Sequence, residues 1–337
     1  MTPRRKFIRN VALLSVGTHA LLRTGSLSAA VSESDALRIK GWPEMKYTKL
    51  GRTEFNASRL VYGCGAALSR RQDERSLAAA YDQGVNVFDV GTSRYYGAAE
   101  RHLGEFVKTR RDKVFLISKS FLNAARDEEP DVERAKEIAS QWRSDMEQSL
   151  SQLGQEHVDA YYMMDAKNPI LVKNEEIYRE FERAKQDGKV SYYGLSTHDN
   201  AEKVLLAAAE TGWYDLAMVA ITPAGWYDYN IRQVVKDSPA MVDLKPVFDK
   251  AKDAGIALVG MKVARHMAGA MFGGRSARQA YDEFYSEKMQ NAQFSPFQKA
   301  YAFVLEHGMD VVNADIQNFD ILEENFIAAA TSRDYVS

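Results

Sequence analysis

Three side chains in this 337-residue chain could together move a proton: Asp89, Tyr96 and Lys119. Asp89 ends the apolar run Val85-Asn86-Val87-Phe88, Tyr96 follows in Tyr95-Tyr96-Gly97, and Lys119 ends Val114-Phe115-Leu116-Ile117-Ser118. A phenol with a pKa of ~10 is a reluctant acid at neutral pH, and an adjacent cation stabilises its phenolate. Lys119 could be that cation, with Asp89 holding the ammonium in place and keeping it charged. Taken singly, an Asp or Lys at a strand end is more often a salt-bridge partner than a catalyst; the joint arrangement points to proton transfer. A strand-end lysine in an apolar mouth could also be a Schiff-base nucleophile, a role that a charged partner such as Asp89 opposes.

The elements that must position these groups repeat. Candidate strands begin near Leu60, Val85, Val114, Val158, Val190, Leu216, Ile256 and Val311. Amphipathic helices lie between them, over Arg75–Gln83, Ala99–Lys108, Val132–Leu153, Asn174–Gln186, Ala201–Thr211, Met241–Ala254 and Pro296–Glu306, with a last one over Asp320–Ala330. Several stop at a Gly just before the next strand, as at Gly154 and Gly188. Eight strand-then-helix units predict an α/β fold, a (β/α)8 or TIM barrel, with reactive groups at the C-terminal ends of its strands. Ahead of them, Lys46 to Leu60 turns at Gly51-Arg52 and reads as a hairpin covering the bottom of the barrel. Residues 225–238 and 265–295 read as long loops on the active face, where Trp226, Tyr227, Tyr229, Phe272, Tyr281, Phe284 and Tyr285 could wall an aromatic pocket.

Residues 1–30 read as an address: Arg4-Arg5-Lys6-Phe7-Ile8-Arg9, an apolar stretch from Val11 to Leu22, then Ser28-Ala29-Ala30. The paired arginines match the twin-arginine type of signal peptide, which hands folded proteins to the export machinery and predicts a periplasmic or secreted protein. The apolar run, broken by Gly17 and His19, is too short for a stable membrane span. Residues 31–45 read as a linker and 46–337 as the barrel. Removing residues 1–30 takes away five basic residues and no acid, which moves the net charge from −2 to −7. That balance argues against a nucleic acid partner, and the single Cys64 excludes an intrachain disulfide. Among the metal signatures, zinc sites needing several thiolates from one chain are excluded, and no His-Glu-x-x-His spacing occurs.

At larger scale the chain resembles the aldo-keto reductases over roughly residues 46–331. Tyr47-Thr48-Lys49-Leu50-Gly51-Arg52-Thr53 with Gly63-Cys64-Gly65 resembles that family's opening, and Phe88-Asp89 through Tyr96-Gly97 to Glu100 and Leu103-Gly104 resembles its catalytic segment. Lys119, Gly194-Leu195-Ser196-Thr197-His198, Met261-Lys262 and Leu322-Glu323-Glu324-Asn325 continue the likeness. The resemblance implies hydride transfer between a nicotinamide cofactor, NADP or NAD, and a small-molecule carbonyl or alcohol, with Asp89, Tyr96 and Lys119 catalytic. It implies cofactor contacts at Gly63, Cys64, Ser196, Thr197, Lys262, Glu324 and Asn325, and sets Met164 toward the substrate; Asp165 beside it and Trp226 of the 225–238 loop are read as substrate-facing too.

The sequence also departs from the family pattern. Asp159-Ala160-Tyr161-Tyr162-Met163-Met164 puts Met164 where the family has a substrate-binding histidine, and a thioether cannot donate a hydrogen bond. Asp165 and His198 are the neighbours that could substitute. Tyr96 lies seven residues after Asp89 instead of the usual five, which makes Tyr95 a rival acid. Asp315 and Ile321 replace a Gly or Lys and an Arg near the cofactor, and a carboxylate repels a 2′-phosphate. These departures leave a second reading open, a degenerate barrel that binds a ligand or partner without turnover.

Overall fold

The computed structural model describes residues 39–267 and 279–336. The address segment, Phe272 and part of the 265–295 segment lie outside the described residues.

The described residues form twelve strands: β1 (Tyr47–Lys49), β2 (Asn56–Ser58), β3 (Leu60–Gly63), β4 (Val87–Asp89), β5 (Phe115–Phe121), β6 (Val158–Met164), β7 (Val190–Thr197), β8 (Leu216–Thr222), β9 (Gly225–Asp228), β10 (Gln233–Val234), β11 (Ala257–Met261) and β12 (Val311–Asp315). Eight of them, β3 to β8 with β11 and β12, pair in parallel, and the β7–β8 pairing closes the ring. The expected (β/α)8 barrel is therefore the observed fold.

The helices are α1 (Gly65–Leu68), α2 (Glu74–Asp82), α3 (Ser93–Tyr96), α4 (Ala99–Val107), α5 (Val132–Leu153), α6 (Pro169–Val172), α7 (Glu175–Gln186), α8 (Ala201–Thr211), α9 (Lys245–Asp253), α10 (Glu287–Asn291), α11 (Pro296–Glu306), α12 (Phe319–Thr331) and α13 (Arg333–Val336). Their ends follow local chemistry. The Asp131 carboxylate accepts from the Arg134 amide at 2.9 Å to start α5, which Gly154 ends at φ 62°. Ser295 and Gln298 form a reciprocal capping box at the start of α11.

Alternation along each strand builds two cores. Val61, Val87, Phe115, Ile117, Met218 and Val259 belong to the barrel interior, whereas Tyr62, Phe88, Leu116, Tyr161 and Leu258 pack in the layer shared with the helices. Tyr62, Tyr161 and Leu258 take part in burying a helix face; without that second layer the parallel strands could not be covered on both sides. The β1–β2 hairpin plugs the lower end: Leu50 and Ala57 join the interior cluster, and the Arg52 amide donates to Gly255 O at 3.2 Å.

Two local outcomes differ from the sequence expectation. The 225–238 segment is not an irregular loop, because β9 and β10 extend the sheet from β8 as an antiparallel hairpin. Residues 39–45, within the stretch read as a linker, lie against the barrel: the Trp42 ring sits 4.6 Å from Phe326, and its Nε1 donates to Glu323 at 2.8 Å.

Candidate active site

The strand ends converge as the alternation requires. Asp89 and Lys119 hold interior positions in register with Val87 and Ile117, and both are about 5 % exposed. Lys119 Nζ donates to Asp89 Oδ1 at 2.5 Å and to Val90 O at 2.6 Å. An ammonium has three N–H donors, so one is left for a third partner. The other oxygen of Asp89 accepts from Asn313 Nδ2 at 2.7 Å. Asn313 comes from β12, and Gly63 gives it room, since a β-carbon there would collide with the Asn313 side chain.

Tyr96 reaches this group from the short helix α3. Thr92 caps α3 through Oγ1, and Gly97 ends it at φ 58°, a conformation that favours glycine. The Tyr96 ring lies against two glycines: a β-carbon on Gly65 would stand 2.6 Å from Cε1, and one on Gly91 would meet both Lys119 Cγ at 3.0 Å and Tyr96 Cε2 at 3.1 Å. The phenol and the lysine stem thus flank the same backbone step. Tyr95 packs edge-on against Tyr96 with 56 % of its surface exposed. Of the two tyrosines, Tyr96 is the one set beside Lys119.

The electrostatics go against the simplest expectation for a Tyr–Lys pair. Burial first, then the negative charge of Asp89, pushes the Tyr96 phenol well above its ordinary value, with Tyr95, Asp315 and Tyr229 adding to the effect. Lys119 is engaged by the Asp89 carboxylate, and the raised phenol keeps its proton.

Around these groups stands a mixed rim. Met164 is 4 % exposed and borders a cavity of about 170 Å³ whose wall includes Phe121, Arg126, Asp165 and Asn168. Asp165, at φ 54° just past β6, lies 3.0 Å from Lys167 Nζ and 3.5 Å from His198 Nδ1. Burial, opposed by Asp165 and aided by Lys262 and Lys119, lowers the His198 imidazole below its usual value. Lys262, also left-handed at φ 61°, sets its ammonium 4.7 Å from the Tyr229 ring centre. Burial lowers its ammonium pKa, and among the described residues no carboxylate forms an ion pair with it.

The remaining expected residues fall in several places. Ser196 is on the interior face, and its Oγ accepts from the Asp165 amide at 3.4 Å. The Cys64 thiol is fully buried in the helix-facing layer, and Thr197 Oγ1 donates to Asp199 O at 2.7 Å. Trp226 lies in the β9–β10 hairpin. Its ring packs on Phe248 and its Nε1 donates to Glu202 at 3.1 Å, so it faces the helices, while Tyr227 and Tyr229 of the same hairpin go with the interior cluster. Glu324 accepts from the Ser295 hydroxyl, and Asn325 Oδ1 is buried with no hydrogen-bond partner among the described residues. Asp315 is exposed at the end of β12 and accepts from the Ala67 amide at 3.1 Å. Asn313 was missed by sequence reasoning; its only signal was a lone amide at an inward position of Val311-Val312-Asn313-Ala314-Asp315.

Among the described residues no cluster of three or more His, Cys, Asp or Glu could hold a metal ion, and no helix is long and apolar enough to cross a membrane.

Comparison with known proteins agrees with this architecture. The Aldo/keto reductase family model matches residues 59–314. The chain is 26% identical over 326 residues to "Probable aldo-keto reductase 1" of Glycine max, covering 82% of this chain and 83% of that one. It is 29% identical over 164 residues to "Uncharacterized oxidoreductase YrpG" of Bacillus subtilis, a match spanning 45% of this chain and about half, 49%, of that protein. Two solved structures from Pseudomonas aeruginosa, each described as a candidate aldo-keto reductase, superpose with TM-scores of 0.60 and 0.59 at 20% identity. They cover 88% and 87% of this chain and 99% and 98% of their own, and at that identity they speak for the fold. With the family model spanning three quarters of its length, and with fold and family together supporting an oxidoreductase, this chain belongs to the aldo/keto reductase family.

Proposed function

We propose that this protein reduces a small-molecule carbonyl, or oxidises the corresponding alcohol, with Tyr96 as the proton donor and Lys119 and Asp89 as its electrostatic support. The observation that carries this reading is the shared position of the Tyr96 ring and the Lys119 stem beside Gly91, with one ammonium N–H unspent. In reduction the Tyr96 O–H bond breaks and its proton passes to the carbonyl oxygen. The phenolate left behind is met by the Lys119 ammonium, and Asp89 and Asn313 keep that ammonium from turning away.

The residues at the mouth suit a dinucleotide by their chemistry. Among the described residues Lys262 offers a cation with no carboxylate in an ion pair, Asn325 Oδ1 is a buried acceptor with no hydrogen-bond partner, and Ser196 presents a hydroxyl to the interior. Lys262, Ser196, Glu324 and Asn325 would hold a nicotinamide dinucleotide. When bound, that group supplies or takes up hydride at the substrate carbon. Asp315 favours NADH over NADPH, because its carboxylate would repel a 2′-phosphate.

Titration of the purified protein with NADH and NADPH, followed by tryptophan fluorescence, tests the reading, together with Tyr96→Phe on a panel of aldehydes and ketones. Binding of neither dinucleotide at millimolar concentration would remove it. Met164 supports a second reading, a barrel that binds a ligand without turnover; under it Tyr96→Phe would change no measurable property. The N-terminal address supports work outside the cytoplasm, in the periplasm or beyond. Cell fractionation with the Arg4-Arg5 pair changed to Lys-Lys checks this by retention of the protein in the cytoplasm.

A further inference from the structure

We propose that Glu100 is a positioning residue that fixes the proton donor to its cation from behind the barrel wall. This inference rests on the reading of Tyr96 as the acid. Glu100 is 1 % exposed on α4, outside the ring of strands. Its Oε2 accepts from the Ser93 amide at 3.1 Å, and its Oε1 accepts from the Ser118 hydroxyl at 2.8 Å.

Each donor belongs to one half of the catalytic pair. Ser93 opens α3, the turn that carries Tyr96, and its N–H has no acceptor within that turn. Ser118 directly precedes Lys119, and because side chains alternate along β5, it faces outward where Lys119 faces inward. One carboxylate thereby ties the start of the Tyr96 turn to the strand that presents Lys119. Such a buried carboxylate is expensive unless its contacts are needed. Burial raises the Glu100 carboxyl above its usual value despite hydrogen bonds from Ser149, Ser118 and Ser93. The Lys119 charge also acts on this carboxyl, while its hydrogen bonds go to the neighbours of Tyr96 and Lys119 and not to those two side chains.

The test compares Glu100→Ala and Glu100→Gln in the otherwise unaltered protein. Gln can still accept from the Ser93 amide and donate to Ser118, whereas Ala can do neither. Three readouts are taken: the 13Cζ resonance of Tyr96, assigned by its loss in Tyr96→Phe; the dissociation constant for NADH; and kcat with its solvent deuterium isotope effect on a carbonyl substrate. Ala should displace or broaden the Tyr96 resonance, lower kcat by roughly tenfold to a hundredfold and raise the solvent isotope effect, with NADH binding unchanged. Gln should restore the resonance and most of kcat. An unmoved Tyr96 resonance in Glu100→Ala overturns the proposal, as does an equal loss of NADH binding and kcat in both variants, which would mark general destabilisation. Failure of the unaltered protein to bind NADH or NADPH would instead strike at the oxidoreductase reading, and the Tyr96 resonance would still report whether Glu100 holds the turn.

Discussion

Asn313 donates to the oxygen of Asp89 that Lys119 does not use, at 2.7 Å. The amide ties the last barrel strand to the carboxylate, so the Asp89–Lys119 pair is held from two sides. Asn313→Ala would leave a buried carboxylate oxygen unsatisfied and should cost about 1–3 kcal/mol of stability. Urea unfolding measures it; Asn313→Asp should be worse, since it faces one buried carboxylate with another.

Gly65→Ala probes the seat of the phenol without touching a charged group. Its added methyl would stand 2.6 Å from the Tyr96 ring, so the ring must move. Turnover should fall by roughly a hundredfold with the fold retained. Equal rates for Gly65→Ala and the unaltered protein would show that Tyr96 acts from elsewhere.

The raised Tyr96 value fixes the sign of the pH dependence. Reduction needs the protonated phenol, and a phenol whose pKa lies above its ordinary value keeps that proton longer as pH rises. The reduction rate should therefore hold through pH ~10, where an ordinary tyrosine would be half ionised. Alcohol oxidation, which needs the phenolate, should still be climbing there. Initial rates in both directions across alkaline buffers decide the matter.

Asp315→Asn should narrow the preference between cofactors. Removing one exposed carboxylate should strengthen NADPH binding relative to NADH by roughly fivefold, with less effect as salt is added. Parallel titrations at low and high ionic strength read both effects.

The barrel was legible because eight apolar runs alternate with amphipathic ones, and the residue after each run could be named without coordinates. Asp89 and Lys119 were named in that way, and Tyr96 by its place in the loop that follows and its likeness to the family motif. What escaped depended on which way a side chain turns. Trp226 was assigned to the substrate side because 225–238 was read as a loop; once it is a strand pair, alternation sends the indole outward and Tyr229 inward. Cys64 matches a motif through its backbone, whose N–H donates to Asp89 O at 2.7 Å, and the thiol follows the other face. Asn313 belongs to no motif, and its importance appears only when β12 closes against β3.

The clasp between Trp42 and Glu323 spans 281 residues of sequence, and the buried Arg59 likewise looks to Glu306 and Ser332 for its partners. A growing chain has none of these acceptors until its last helices have been made. Until then the guanidinium would have to stay wet, and the first strand could not settle into its final place. Closure of the barrel therefore waits on these late contacts, which join the first strand to the final helices.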